Sequence, residues 1–170
     1  MSAENTFFQM RKNPYMDEIY SRGFMTDLSK VRRNETSQLV YHKTLNYGDC
    51  ILEKRAAAAA GINEKIFINT KGQISEGTVC NVFFVRKNMI YTPQLSCGLL
   101  PGILREYIME RFQVTETIIY PDELMYYEEC FVTNSLMGVM PVRQLGNICF
   151  PHRAKADEVR EVYEKEKMSL

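Results

Sequence analysis

The spacing of apolar residues changes several times along the chain. KIFIN (65–69) is a short apolar run. QISEGTVCNVFFV (73–85) alternates well enough for strands, with a break at Glu76-Gly77. MIYT (89–92), VTETII (114–119), ECFVTN (129–134), GVMPVRQL (138–145) and ICF (148–150) also read as strands. The turn segments TKG, RKN and LGN lie between some of them. GILREYIMERF (102–112) has helical spacing, with Ile103, Tyr107, Ile108 and Phe112 on one side. Tyr47 to Ala60 is rich in helix formers, and Gly61 stands where a C-terminal cap belongs. PDELMYY starts a short helix at Pro121 and Asp122, and the charged tail at 153–167 predicts a surface helix. Residues 93–101 form a loop. FFQMRKNPY (7–15) looks like a strand entering a proline turn, with no sequence neighbour to pair with.

This mixture of hairpins and helices predicts an α+β fold with a mixed or largely antiparallel sheet. No clear βαβ rhythm, G-x-G-x-x-G or Walker loop is visible. With 170 residues, 45% of them hydrophobic and 25% charged, the chain has ordinary globular composition. Its 21 Lys plus Arg balance 21 Asp plus Glu, which argues against a dedicated nucleic-acid or anionic-membrane binder. No apolar run approaches the roughly 20 residues that span a bilayer. The start, MSAENTFFQM, lacks the basic and apolar regions of a secretory signal. Five cysteines without a CxxC pair, beside two histidines, give no basis for a metal site. They fit free thiols in a reducing cytoplasm.

Four places carry candidate chemistry. Lys43, in YHKTLNY, is flanked by Tyr41, Leu45 and Tyr47. Apolar surroundings favour a neutral amine, which can attack a carbonyl. Glu76 is a carboxylate inside apolar strand material and must have a partner there. Pro101-Gly102 directly before a helix leaves free backbone N–H groups that attract phosphate. Asn134-Ser135, after a strand, offers further donors. A poised lysine, a buried acid and two phosphate-binding candidates are together what pyridoxal 5'-phosphate needs: a lysine for its aldehyde, a carboxylate for its ring nitrogen, and N–H and O–H donors for its phosphate.

At this point the sequence resembles the class-IV aminotransferases, the fold-type IV pyridoxal-phosphate enzymes. E-G-T-V-C-N-V-F from Glu76, then Ile90-Tyr91-Thr92, then Leu100-Pro101-Gly102-Ile103-Leu104-Arg105 follow the family signature. HKTLNY resembles the lysine segment and FVTNSLMGVMPV (131–142) the second phosphate-contact strand. The resemblance runs from about Phe8 to Leu145. Within the family, KTLNY and NSLMGVMPV look most like the aminodeoxychorismate lyases. D-amino-acid and branched-chain aminotransferases usually carry Glu-Ile or a similar pair where Gly138-Val139 stands here.

The resemblance implies a D-amino-acid aminotransferase-like domain, a curled mixed sheet or pseudo-barrel flanked by helices. It implies Lys43 as the residue that condenses with the cofactor aldehyde and moves the substrate proton. Glu76 would hold the ring nitrogen, Tyr47 would approach the phenolic oxygen, and Leu100 would pack on the ring. Gly102, Ile103 and Leu104 would present backbone N–H groups to the phosphate, with Asn134 and Ser135 completing the cup. Leu104 replaces a frequent threonine. Asn81 takes a structural role. The implied activity is a lyase releasing pyruvate and forming 4-aminobenzoate for folate synthesis; an aminotransferase of the same fold and a catalytically silent fragment are the alternatives. The implied partners are a small-molecule substrate and a second copy in a homodimer. Residues 1–26 read as the last strand and linker of a small N-terminal domain, and 27–170 as the cofactor-binding domain. That small domain ordinarily supplies a phosphate-binding arginine; Arg11, Arg22, Arg32 and Arg33 are the candidate substitutes.

Overall fold

The computed structural model describes residues 8–15 and 17–168. Nine strands form one mixed sheet. They are β1 (Phe24–Arg33), β2 (Glu64–Asn69), β3 (Ile74–Gly77), β4 (Asn81–Arg86), β5 (Met89–Pro93), β6 (Val114–Thr117), β7 (Glu129–Asn134), β8 (Gly138–Leu145) and β9 (Ile148–Cys149). Their order is β3-β2-β1-β8-β7-β4-β5-β6, with β9 on β8. The helices are α1 (Asp17–Arg22), α2 (Gly48–Ala59), α3 (Ile103–Arg111) and α4 (Ala154–Lys167). This is the expected α+β class.

Central β4 shows why one continuous apolar run makes a strand here. Val82 and Phe84 join one core cluster, with Phe24, Ile66, Val132 and Met140. Phe83 and Val85 join the other, with Leu104 and Ile108 of α3 and Ala156 and Val159 of α4. Such a run is expected where both faces are covered. Phe83 stacks on Phe131 with ring centroids 4.9 Å apart, worth about 0.5–1.5 kcal/mol beyond area burial. β4 and β5 are joined at Lys87-Asn88, both with positive φ (49° and 63°), as a two-residue hairpin of matching twist requires.

Two sequence expectations change. The strand expected at 7–15 is not formed: Phe7 lies outside the described residues, and 8–15 have no regular structure. The first strand instead starts at Phe24. Met25 and Thr26 already pair with β8 there. Crossover units also exist. β1 and β2 are parallel with α2 between them in sequence, and β5 and β6 are parallel with α3 between them. Ala57 of α2 is fully buried, where its small side chain lets the helix lie close to the sheet. Gly61 follows the helix at φ +70°, as its capping place predicts. Among the described residues no helix is long and apolar enough to cross a membrane. The described residues also hold no His, Cys, Asp and Glu group able to bind a metal.

Candidate active site

β3 ends at Glu76-Gly77, and Glu76 is 5% exposed. Its Oε1 accepts from Arg33 Nη2 at 2.6 Å, and its Oε2 accepts from the Leu100 backbone N–H at 3.0 Å. Burial pushes its pKa up to about 7, against the opposing pull of Arg33, the Leu100 N–H and Lys43. A guanidinium stays charged through the accessible range, so the proton of this pair titrates on Glu76. The turn after Glu76 is fixed by close packing. A Cβ on Gly77 would collide with Cys80 Sγ, and the Gly77 N–H donates to the Cys80 carbonyl at 2.7 Å. Buried Glu64 locks the same turn by accepting from the Thr78 N–H and hydroxyl and from Lys54 Nζ.

Leu100 links the acid to the start of α3. Its N–H meets Glu76, and its carbonyl accepts from Asn81 Nδ2 at 2.8 Å. Asn81 therefore has the structural role the motif implies. Gly102 is the N-cap of α3, with extended backbone (φ −76°, ψ 143°) and no side-chain cap. A Cβ there would sit far inside the contact distance of Asn81 Oδ1. The first N–H groups of α3 thus face no protein cap, and a bare glycine gives a ligand close access to them. Ile103 is 77% exposed, whereas the Leu104 side chain is buried in the core. Leu104 can serve a ligand only through its backbone. Arg105 is 2% exposed and pins α3 to the sheet through the Pro93 carbonyl (3.1 Å) and Glu116.

The other expected residues are less committed to one another. The Asn134 side chain is taken up by its own turn: Oδ1 accepts from the Leu136 and Met137 N–H groups, and Nδ2 donates to the Val79 carbonyl. That bond ties the β7–β8 turn to the turn after Glu76 and uses one of the two Nδ2 hydrogens. Ser135 is exposed beside it. Tyr47 is 43% exposed and is the N-cap of α2. Lys43 lies in the connection at 42–47, near enough for its charge to act on Glu76. The apolar shielding expected around it is absent: Lys43 is exposed, Leu45 is 98% exposed, and the Tyr41 hydroxyl turns away to the Glu35 carbonyl. Apolar neighbours in sequence do not bury a side chain when their own side chains point to solvent.

Of the four arginines considered for a phosphate, none is placed at α3. Arg33 is paired with Glu76. Arg11 donates to Gln9, Arg22 lies 3.9 Å from Glu18, and Arg32 is exposed on β1. The Arg33–Glu76 pair is the feature of the site that sequence reading missed. KVRRNE offers no local signal that separates Arg33 from Arg32, apart from the strand alternation that turns the two to opposite faces.

A profile of the Amino-transferase class IV family matches residues 3–145. A solved candidate 4-amino-4-deoxychorismate lyase of Legionella pneumophila superposes with a TM-score of 0.80 at 27% identity. That match covers 85% of this chain and 56% of that one. The branched-chain aminotransferase of Thermobaculum terrenum, solved in its PLP form, superposes with a TM-score of 0.79 at 25% identity over 85% of this chain and 50% of that one. Branched-chain amino acid aminotransferase 2 of Humulus lupulus is 33% identical over 104 residues, 57% of this chain and 26% of that protein. The chain spans only a quarter to a little over half the length of these relatives. With the profile matching most of its length and Glu76 joined through Leu100 to the Gly102 turn, the chain belongs to the Amino-transferase class IV family.

Proposed function

We propose that this chain is the cofactor-binding domain of a pyridoxal-phosphate enzyme, and that its reaction is of the 4-amino-4-deoxychorismate lyase type. The observation that carries the first part is Glu76. A carboxylate this deeply buried, beside an uncapped helix start and within electrostatic reach of a lysine, suits a ligand with a basic ring nitrogen, an anionic group and an aldehyde. The residues fit the group: Glu76 for the nitrogen, the first N–H groups of α3 for the phosphate, and Lys43 for the aldehyde. When bound, pyridoxal phosphate supplies an aldehyde that condenses with amines and a ring that accepts an electron pair. Glu76 keeps a proton on the ring nitrogen. Lys43 Nζ carries the proton taken from the substrate carbon. Gly102 and the N–H groups of Ile103 and Leu104 hold the phosphate without a side chain.

Water must be kept from Lys43 for this chemistry to be efficient. The proposal assigns that cover to the part of the relatives' length that this chain does not span. Leu45, Ile103 and Leu136, exposed at 98%, 77% and 58%, each sit next to a site residue and are apolar surface for such cover to bury.

Two features support the lyase reading. One is the likeness to the Legionella pneumophila protein. The other is Gly138, which has φ +70° and a Cβ position 3.3 Å from Glu164 Oε1. The glutamate-containing pair of aminotransferases fits poorly there. The second reading, a branched-chain aminotransferase, is favoured by the Humulus lupulus and Thermobaculum terrenum relatives. Incubating the cofactor-loaded protein with 4-amino-4-deoxychorismate tests the choice. Pyruvate release supports the lyase, and transfer of a branched-chain amino group to 2-oxoglutarate without pyruvate release overturns it.

A further inference from the structure

We propose that Arg33 is a positioning residue for the site: its guanidinium, fixed between Cys50, the Phe67 ring and Glu76, holds Glu76 as a carboxylate aimed at the ring nitrogen of the cofactor. The inference rests on the cofactor reading above and deepens it.

The geometry is specific. Arg33 Nη2 donates to Glu76 Oε1 at 2.6 Å, and Nη1 donates to Cys50 Sγ at 3.4 Å. The guanidinium carbon lies 5.3 Å from the centroid of the Phe67 ring, and Phe67 is fully buried. β1, α2, β2 and β3 thus each contribute one group to the arrangement. The side chains of the pair are 18% and 7% exposed, so water screens them little. The Leu100 N–H takes the second oxygen and fixes the plane of the carboxylate. A carboxylate has about four acceptor directions, so both contacts leave room for a further donor. Arg33 Nε is buried with no hydrogen-bond partner among the described residues, so the contacts of the guanidinium run through its Nη atoms.

Without this cation, burial leaves Glu76 as a neutral acid, which cannot sustain a proton on a neighbouring pyridine. Two cations, Arg33 and Lys43, and the hydrogen bond from the Leu100 N–H favour the charged form of Glu76, and the Cys50 and Cys80 thiols lie within its electrostatic reach. Arg33 is the nearer cation, through a direct bond. Its influence passes through Glu76, since it is not itself placed to touch the ring.

The test compares wild type with Arg33→Gln and Arg33→Lys. In apo protein labelled with 13C at glutamate carboxyls, the Glu76 resonance titrates; Arg33→Gln raises its midpoint by about one to three pH units. Arg33→Lys, which keeps the charge but not the fork, restores most of the shift. With ring-15N-labelled pyridoxal phosphate added at pH 7.5, wild type shows a protonated ring nitrogen, Arg33→Gln an unprotonated one, and Arg33→Lys an intermediate signal. Unchanged Glu76 midpoints, or a protonated ring in Arg33→Gln, overturn the inference. If wild type takes up no cofactor, the cofactor reading fails instead, and the apo titration reports separately on the hold of Arg33 over Glu76. Should Arg33→Gln fail to fold, Arg33→Met takes its place in both measurements, and an unchanged Glu76 midpoint or a protonated ring there overturns the inference.

Discussion

Gly102→Ala isolates the steric basis of the helix start. The backbone of Gly102, at φ −76° and ψ 143°, suits alanine, so the change introduces no conformational strain. Alanine in place of glycine gains about 0.4–1 kcal/mol through the unfolded chain, which the poor standing of alanine at an N-cap offsets. The opposing cost comes from one neighbour, Asn81 Oδ1; its Cγ is the next atom, 3.5 Å away. Asn81 can yield only by loosening its 2.8 Å bond to the Leu100 carbonyl. Overpacking costs about 1–3 kcal/mol, and disturbing a part-buried hydrogen bond about 1–3 kcal/mol. Gly102→Ala alone should therefore destabilise by about 2 kcal/mol or more on this reasoning. In an Asn81→Ala background the obstructing oxygen is gone, so the same change should be near neutral. Urea unfolding of wild type, both single variants and the double variant gives the coupling energy, expected at about 2 kcal/mol with an unchanged m-value. An equal cost of Gly102→Ala in both backgrounds would refute the reasoning, because it would show that Asn81 is not what excludes a side chain.

Glu76 makes apo stability pH-dependent. Its folded pKa, about 7, lies above its ordinary value of 4.5, so its contribution is fully present below about 4.5 and is lost as pH rises through 7. The loss amounts to about 3 kcal/mol between pH 4.5 and 8, and Glu76→Gln should flatten that part of the profile. A decline that persists unchanged in Glu76→Gln places the proton elsewhere. Glu129, 6% exposed, accepts from the Lys155 and Ala156 N–H groups and caps α4. Glu129→Ala should cost about 1–2 kcal/mol and speed amide exchange in the first turn of α4; exchange that is unaltered there argues against the cap.

How much the sequence reveals depends on how local each determinant is. α2 and α3 carry their own stop signals or spacing, and both lie within a residue or so of the expected bounds. β4 is legible because five of its residues are apolar or amide and lie between recognisable turns. β1 is not, because FMTDLSKVRR mixes Asp27, Ser29 and Lys30 into its alternation and its parallel partners lie far along the chain. Missing β1 also hid the crossover through α2. In the site, Glu76 and the Gly102 turn follow from short motifs. The Arg33–Glu76 contact spans 43 positions and has no local trace. Lys43 shows the converse: its neighbours look apolar in sequence, yet burial is set by what packs against the loop, and the described residues leave it exposed. Asn134 stands after a strand as its place in the sequence suggests, but the acceptor role of its Oδ1 in the turn at 135–137 has no separate trace there.

The central claim concerns the amine at position 43. Protein incubated with pyridoxal phosphate, reduced with borohydride and digested should yield one peptide that carries the phosphopyridoxyl mass at Lys43, and Lys43→Ala should yield none. Label spread over several surface lysines, or unchanged by Lys43→Ala, would contradict it.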